Sequence, residues 1–269
     1  MDAKNMLLLD DFIDRNGRHF IVPVFQRNYV WKKNQVEQLL EDIVNLIKNR
    51  HSKHFVGSII YVSNMAGNFQ ECLVIDGQQR LTTVFLILNA LKVFFKKNNN
   101  NDEFDIINKR YMHNEYATDM YKIKLKPLVD ADLVYKKIIE EDYLSSTDKD
   151  TDIFINYSFI IDYLNNHMNE NNYFTAKDFL EALRRLEIVY IQLDSTDNPQ
   201  KIYESINSAG VKLEPSDLIR NFILMGEDNT QQEMLFDKYF KPIEMNVKSQ
   251  KNSESDFYRF YLAYREYEF

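Results

Sequence analysis

The chain has 269 residues, of which 45% are hydrophobic and 14% aromatic, and this content excludes a disordered polymer. A net charge of -8 excludes a surface that attracts DNA everywhere, so contact with nucleic acid would need a local basic patch. No apolar run reaches the roughly 18 residues of a membrane span and no targeting signal is visible, so we expect a cytoplasmic protein without a membrane partner.

Cysteine and histidine do not indicate a disulfide or a zinc site. The single cysteine, Cys72, has no partner within the chain, and its apolar neighbours predict a small buried side chain in a strand. Only His51 and His54 lie close together, and no cysteine or carboxylate cluster accompanies them. Cys72 is therefore expected to be structural.

The chain is expected to begin with a helix, followed by an extended segment and a second helix. Apolar spacing within residues 1–20 predicts a helical lead-in that ends at Asn16 and Gly17. Residues 21–31 are predicted to be extended, at a sheet edge or in a loop because of Pro23. From Asn34 the apolar spacing predicts a helix.

The extended segment carries a candidate contact to nucleic acid, because aromatic rings can stack on bases and a guanidinium can grip a phosphate backbone. The residues in question are Phe25, Gln26 and Arg27. The alternative is that the aromatic side chains anchor the segment to the core while Arg27 pairs with an acid.

A hairpin and a central helix are predicted next. Residues 55–62 and 72–75 are typical strands, joined by a turn around 66–68. After the Asp-Gly-Gln-Gln-Arg segment, 76–80, a long helix follows from Leu81. Because this helix is apolar on most sides, we expect it to be central.

The strand, the 76–80 turn and the helix form the strongest candidate site, since a glycine turn that leads into a helix directs backbone N–H groups at one point and favours an anion. Gly77 would let the backbone approach a phosphate, Arg80 would bind its oxygens, and Thr82 or Thr83 offers a hydroxyl. Asp76 is the candidate Mg²⁺ ligand, and Gln78 or Gln79 can orient a water.

An ordinary turn with a surface arginine would show the same pattern. The sequence contains no G-x-x-x-x-G-K-[ST], so a Walker-type site is excluded. A nucleotide site in this chain would have another design.

Residues 104–186 show mostly helical patterns, with one exception at 121–126, where polar and apolar residues alternate as in a strand. Lys122, Lys124 and Lys126 would form a basic ridge on that strand. Such a ridge can contact phosphates, although a row of charges on an open strand face is usually just solvated.

The last predicted strand, 187–194, is followed by a polar segment, 203–221, in which Asn207, Asp217 and Arg220 can converge on a ligand. The alternative is local capping, with Asp217 complementing the start of a helix near residue 214.

Four segments in this order resemble the N-terminal domain family of GmrSD-type restriction proteins, which is distantly similar to the ParB and sulfiredoxin fold. Residues 21–31 are similar to the family's I-P-x-Y-Q-R-x-Y-x-W, with Phe25 where tyrosine is usual. Residues 55–59 form the second segment. Residues 76–83 match D-G-Q-Q-R-L-T-T throughout, and 203–221 resemble F-x-x-L-N-x-x-G-x-x-L-x-x-x-D-L-I-R-N.

The resemblance implies a domain that binds a nucleoside triphosphate with Mg²⁺ and hydrolyses it, with the phosphates at 76–80. It also implies a role in sensing modified DNA and a partnership with an HNH-type nuclease domain or subunit. No His-x-x-Pro or paired-histidine segment follows Asn221, so we expect a fragment of a longer protein that lacks the nuclease.

The expected fold is α+β: a small mixed sheet of ParB/sulfiredoxin-like type, followed by a mainly helical region. We expect a nucleotide-binding core over 1–100 and a helical region over 101–269 that packs on it as one unit and returns one strand to it. Two other functions remain open, a DNA-binding module that does not hydrolyse nucleotide and a catalytically silent interaction subunit.

Overall fold

The computed structural model describes residues 2–49, 52–117, 121–168, 174–194, 197, 202, 214–227, 229–250 and 253–267. The chain forms two compact units. The first contains residues 1–22 and 28–196, and the second contains residues 23–27 and 197–269. The strand expected to return to the sheet from the C-terminal part of the chain begins at residue 186 and belongs to the sheet of the first unit.

The first unit is built on a six-stranded sheet, which confirms the α+β class. Its strands are β1 (Asp2–Leu7), β2 (Arg18–Ile21), β3 (His54–Ala66), β4 (Phe69–Asp76), β5 (Leu125–Lys126) and β6 (Leu186–Leu193). Their order across the sheet is β1-β6-β3-β4-β2-β5. β1 with β6 and β3 with β4 are antiparallel pairs, and the other three pairs are parallel, so the sheet is mixed as expected.

Helices surround this sheet and make up most of the described part of the second unit. In the first unit they are α1 (Lys33–Lys48), α2 (Gln78–Lys97), α3 (Asn101–Asp105), α4 (Val129–Glu140), α5 (Ser146–Lys149), α6 (Asp152–His167) and α7 (Ala176–Leu183), with π-helical segments at Leu8–Ile13 and Ile106–Met112. In the second unit they are α8 (Pro215–Leu224), α9 (Asn229–Leu235), α10 (Lys241–Ser249) and α11 (Glu254–Tyr267), with a π-helical segment at Phe236–Phe240. None of the described helices has the length and apolarity that a membrane crossing requires.

The predicted hairpin and central helix are confirmed. β3 and β4 pair across the turn at Gly67, and Cys72 is buried within β4, where burial raises the pKa of its thiol to about 12. In α2, apolar side chains on every side of the helix are buried, from Leu81 to Phe95. Because α2 has no polar face, it occupies the core of the first unit.

The helical lead-in predicted for residues 1–20 is wrong. Residues Asp2–Leu7 instead form β1, which pairs with β6 from Asp2 opposite Gln192 to Leu7 opposite Glu187. The helical spacing reflects only the short segment Leu8–Ile13, which buries Leu8, Leu9, Phe12 and Ile13. A partner strand 180 to 190 residues away therefore decides the conformation of the first six described residues.

The strand predicted at 121–126 is also largely wrong, since only Leu125 and Lys126 form one, β5. This short strand pairs in parallel with β2, where Phe20 lies opposite Leu125. The preceding residues make single contacts, such as the bridge between Ile123 and His113. Alternation in sequence there reflects burial in a loop rather than a regular ladder.

Candidate functional site

The Asp-Gly-Gln-Gln-Arg segment has the local structure that the sequence predicts. β4 ends at Asp76, Gly77 adopts a left-handed conformation (φ 92°), and α2 begins at Gln78. The N-cap residue is Gly77, which has no side chain to cap this helix start. A Cβ on Gly77 would lie 2.9 Å from the Ser58 carbonyl oxygen, so both the backbone angle and the space require glycine.

Arg80 turns back from α2 onto β3. Its Nη1 donates a hydrogen bond of 2.7 Å to the Ser58 carbonyl oxygen. A Cβ on Gly57 would lie 2.8 Å from Arg80 Cζ, so the guanidinium occupies space that only a glycine leaves open. Gly57 has φ +110°, and the pairing of β3 with β6 shifts register between Phe55 and Ser58. The second and third segments of the sequence pattern thus meet at one irregularity of β3.

The charge of Arg80 is not balanced by an ion pair within the described residues. Burial lowers the pKa of its guanidinium, and the negative charge of Asp76 partly offsets that effect. Its hydrogen bond to Ser58 uses one of five N–H groups. A half-buried cation with spare donors beside a helix start, where the first backbone N–H groups have no partner within the helix, favours an anion such as a phosphate.

The side chain of Gln79, one of the two candidates for orienting a water, makes hydrogen bonds to the backbone of residues 28–31. Its side-chain oxygen accepts hydrogen bonds from the backbone N–H groups of Val30, at 2.9 Å, and Trp31, at 3.2 Å. Its side-chain nitrogen donates to the Asn28 carbonyl oxygen at 3.0 Å. With both oxygen lone pairs occupied, Gln79 fixes residues 28–31 to α2, and Gln78 remains the candidate for that role.

The two threonines of α2 are buried, so the hydroxyl predicted to face a phosphate is not at the surface of the turn. Thr82 is 3% exposed and Thr83 is fully buried. Thr83 Oγ1 donates to the Gln79 carbonyl oxygen at 2.8 Å and shares a 2.7 Å hydrogen bond with Tyr29 Oη. Burial raises the pKa of Tyr29 to about 12. These hydroxyls therefore belong to an internal network.

The nucleic-acid contact predicted at residues 25–27 is not a surface. Phe25 is 3% exposed and Gln26 is 1% exposed, because this segment is a turn rather than an open strand, whereas Arg27 is half-buried. The alternative, in which the aromatic residues anchor the segment, agrees with the burial of Phe25 and Tyr29.

The predicted basic ridge does not exist as a surface either. Lys124 is fully buried, and its Nζ donates to the carbonyl oxygens of Arg110 at 2.7 Å and Ile13 at 2.9 Å. Lys122 is exposed and Lys126 is half-buried. Loop geometry, rather than strand alternation, turns Lys124 inward, where burial lowers the pKa of its ammonium to about 8.

The polar segment 203–221 is described only in its last part. Asn207 lies outside the described residues. Asp217 accepts a hydrogen bond of 3.0 Å from the Glu214 backbone N–H at the start of α8, which is the capping arrangement.

Arg220 has partners within the second unit. The residue is 3% exposed and forms a buried ion pair with Glu244. Its Nη2 lies 3.2 Å from Glu254 Oε2, and its Nη1 donates a hydrogen bond of 3.2 Å to the Gln26 carbonyl oxygen. The structure therefore gives Arg220 a role in joining α8, α10, α11 and the 23–27 segment.

Sequence reasoning missed three residues that matter at these sites. Gly57 and Ser58 shape the position of Arg80, and the signal was their place in the second segment of the resemblance. Asn221 is 1% exposed, and neither polar atom of its side chain has a hydrogen-bond partner among the residues that the structure describes. Since a buried, unpartnered carboxamide is costly, Asn221 is a candidate for contact with a ligand.

The donors around Asp76 fit Mg²⁺ only together with a phosphate ligand. Within the described ranges no group of three or more histidine, cysteine, aspartate or glutamate side chains can hold a metal ion. Mg²⁺ is commonly bound by one or two carboxylates plus substrate phosphates and water. Asp76 supplies one such carboxylate beside the helix start.

Comparison with known proteins identifies a family and a relative. Residues 9–224 match the model of the GmrSD restriction endonuclease, N-terminal domain family. The chain is also 23% identical, over 248 residues, to an uncharacterized protein of Methanocaldococcus jannaschii. That alignment covers 81% of this chain and 41% of the archaeal protein, so the chain spans about two fifths of the length of this relative.

Proposed function

The chain belongs to the family of GmrSD restriction endonuclease N-terminal domains, and from this membership and the Asp76 turn we propose that it binds a nucleoside triphosphate with Mg²⁺ at residues 76–80 and hydrolyses it. Nucleotide turnover would regulate a restriction or phage-defence system that acts on modified DNA. An HNH-type nuclease domain or subunit would cut the DNA.

The observation that carries this proposal is the state of Arg80. Its guanidinium is half-buried next to the start of α2, donates to one carbonyl oxygen, and has no ion pair within the described residues. Burial removes water from the guanidinium charge of Arg80. A bound phosphate would replace that hydration with charge-assisted hydrogen bonds. The first-turn N–H groups of α2 would bind the same phosphate.

Each residue of the turn then has a separate task. Gly57 and Gly77 leave the space that the guanidinium and the turn require. Asp76 would hold the Mg²⁺ ion, which supplies charge neutralisation at the phosphates. Gln78 would place the attacking water. Gln79 would act as a positioning residue through its three hydrogen bonds to residues 28–31.

Thermal stabilisation by ATP, GTP, CTP and UTP with Mg²⁺ tests binding, because a ligand of the native state raises the melting temperature. We expect one nucleotide to stabilise the wild type, and Arg80→Ala to weaken its binding about 10- to 100-fold through loss of charge-assisted hydrogen bonds. Arg15→Ala removes an exposed arginine outside the turn and should bind as the wild type does. Absence of stabilisation by all four nucleotides would refute the proposal.

Hydrolysis needs its own measurement, the release of phosphate under single-turnover conditions. We expect Asp76→Asn and Gln78→Ala to reduce turnover at least tenfold while the folded state is retained, and Gln78→Ala to leave nucleotide binding nearly unchanged. Unchanged turnover in both variants would leave a binding module without the proposed chemistry.

A further inference from the structure

A second site lies in the first unit, on another part of α2. A cleft of about 620 Å³ is lined by residues that include Lys92, Lys109, Lys122 and His113. None of its lining residues belongs to segments 55–59 or 76–83. Lys92 follows Arg80 by twelve positions, which corresponds to about 18 Å along the helix axis. The cleft is therefore distinct from the Asp76 turn.

Lys92 forms the floor of this cleft. The residue is 4% exposed, and its Nζ donates to the Ile139 carbonyl oxygen at 3.1 Å. An ammonium has three donors, and within the described residues this is its one hydrogen bond and it has no ion pair. Burial lowers the pKa of Lys92. A buried cation with two unused donors favours an anionic ligand.

The wall of the cleft adds further positive charge. Lys122 is exposed and has no ion pair within the described residues, whereas Lys109 pairs with Asp105 at 2.9 Å. The two carboxylates of the wall, Glu115 and Glu140, are exposed, so water screens them more than it screens the floor. Lys92 and Lys122 are thus the cleft lysines without an ion pair within the described residues, and the charge of Glu141, which pairs with Lys96, offsets the effect of burial on the pKa of Lys92 only in part.

His113 gives the cleft an acceptor. Its Nδ1 lies 3.1 Å from the Asn108 carbonyl oxygen, so this nitrogen carries the proton and Nε2 of the neutral ring has a lone pair. Burial, and then the positive charges of Lys92, Lys122 and Lys124, lower the pKa of His113 to about 4. The ring is therefore neutral at physiological pH and can accept a hydrogen bond.

We propose that this cleft binds a small phosphate ester, with Lys92 and Lys122 on the phosphate oxygens and His113 Nε2 accepting a hydrogen bond from a hydroxyl or amino group of the same molecule. Its volume falls within the range of about 300–1,000 Å³ that is typical of small-molecule sites. A duplex backbone would not reach the deeply buried Lys92, which favours a small ligand over DNA.

Adenosine 5′-monophosphate is the probe, with adenosine as the control that lacks the phosphate. Histidine Cε1–H signals are followed by NMR across pH. We expect the monophosphate to shift the His113 signal at neutral pH, because the ligand donates a hydrogen bond to Nε2 and its phosphate changes the electric field at the ring. Adenosine should leave His113 unchanged. An unchanged His113 with the monophosphate would overturn the proposal.

Two lysine variants and one arginine variant complete the test. Lys122→Gln should weaken binding of the monophosphate about tenfold, the effect of one lost ionic hydrogen bond. Lys97→Gln, an exposed lysine near the end of the same helix and outside the cleft, should not change it. Equal binding by Lys122→Gln and the wild type would contradict the assignment.

Arg80→Ala separates this site from the proposed nucleotide site, since the response of His113 should persist when binding at the Asp76 turn is lost. Loss of the response in that variant would mean that the probe acts from the Asp76 turn, and the cleft would not be a separate site. The same shift of His113 with a DNA duplex would assign the cleft to a nucleic-acid backbone and overturn the small-molecule proposal.

Discussion

Gly77 shows how a single residue controls the candidate site. Its φ of 92° lies in the region that side chains rarely adopt, and its Cα faces the Ser58 carbonyl oxygen with no room for a methyl group. Arg80 binds this same carbonyl group. The conformation of the Gly77 turn, the position of β3 at Ser58 and the position of the Arg80 guanidinium therefore depend on one another.

We expect Gly77→Ala to lower the free energy of unfolding by about 3 kcal/mol, since backbone strain and a steric clash act together. Gly67→Ala is the matched control, because Gly67 also has a positive φ, of 61°, but a Cβ there meets nothing within 4 Å. Gly67→Ala should lower the free energy of unfolding by about 1 kcal/mol, from backbone strain alone. Urea denaturation measures both, and equal costs would contradict the steric part of this account.

At the scale of elements, Gln79 connects α2 to the segment 28–31. Three hydrogen bonds of its carboxamide satisfy backbone groups that have no sheet partner there. Tyr29 strengthens the connection through Thr83, and Asn156 of α6 donates to the Trp31 carbonyl oxygen at 2.6 Å. An irregular segment is thus fixed by side chains from two helices rather than by a ladder.

Replacement of Gln79 by leucine should destabilise the protein by about 2–3 kcal/mol, because the N–H groups of Val30 and Trp31 lose their acceptor. Gln38→Leu on the exposed face of α1 is the control and should change the free energy of unfolding by less than about 0.5 kcal/mol. Chemical denaturation of both variants tests this. A Gln79→Leu protein as stable as the control would show that water replaces the carboxamide.

Whether an element could be predicted from the sequence depended on how close along the chain the residues that determine it lie. The hairpin β3–β4, the turn at Gly77 and helix α2 were predictable, because turn glycines and apolar periodicity act within about 20 residues. β1 was not predictable, since its partner β6 lies far along the chain. Lys124 was placed on a surface ridge, because alternation alone does not distinguish a strand from a buried loop.

At the scale of the whole molecule, buried histidines make stability depend on pH. His19 is fully buried, with Nδ1 3.0 Å from the Ile123 carbonyl oxygen, and its Nε2 has no hydrogen-bond partner in the described part of the chain. Burial is the main cause that lowers its pKa to about 4. Between pH 6.5 and 4 the His19 ring is protonated in the unfolded chain but neutral in the folded chain. The free energy of unfolding therefore decreases as the pH falls through this window.

For His19 alone this effect amounts to about 3 kcal/mol across the window, from a pKa difference of 2.5 units. His19→Asn should flatten the pH dependence of the free energy of unfolding by about that amount, since asparagine can keep a donor to Ile123 without titrating there. His167→Asn, at an exposed position, should leave the slope unchanged. Parallel pH profiles for wild type and His19→Asn would contradict the prediction.

The sequence by itself determined the family, the α+β class, the strand–glycine–helix turn at residues 76–80 and the central position of α2. These features follow from local signals: glycine at a positive φ, and apolar residues on all sides of one helix. Only the tertiary structure decided which polar groups of the pattern remain available. It buried Gln26, Gln79, Thr83 and Lys124 in hydrogen bonds or in the core, left Arg80 with one carbonyl partner, and assembled a lysine cleft from distant segments. The physical reason is that a side chain's capacity for a ligand depends on the partners that folding brings to it, and these partners come from positions that no local pattern specifies.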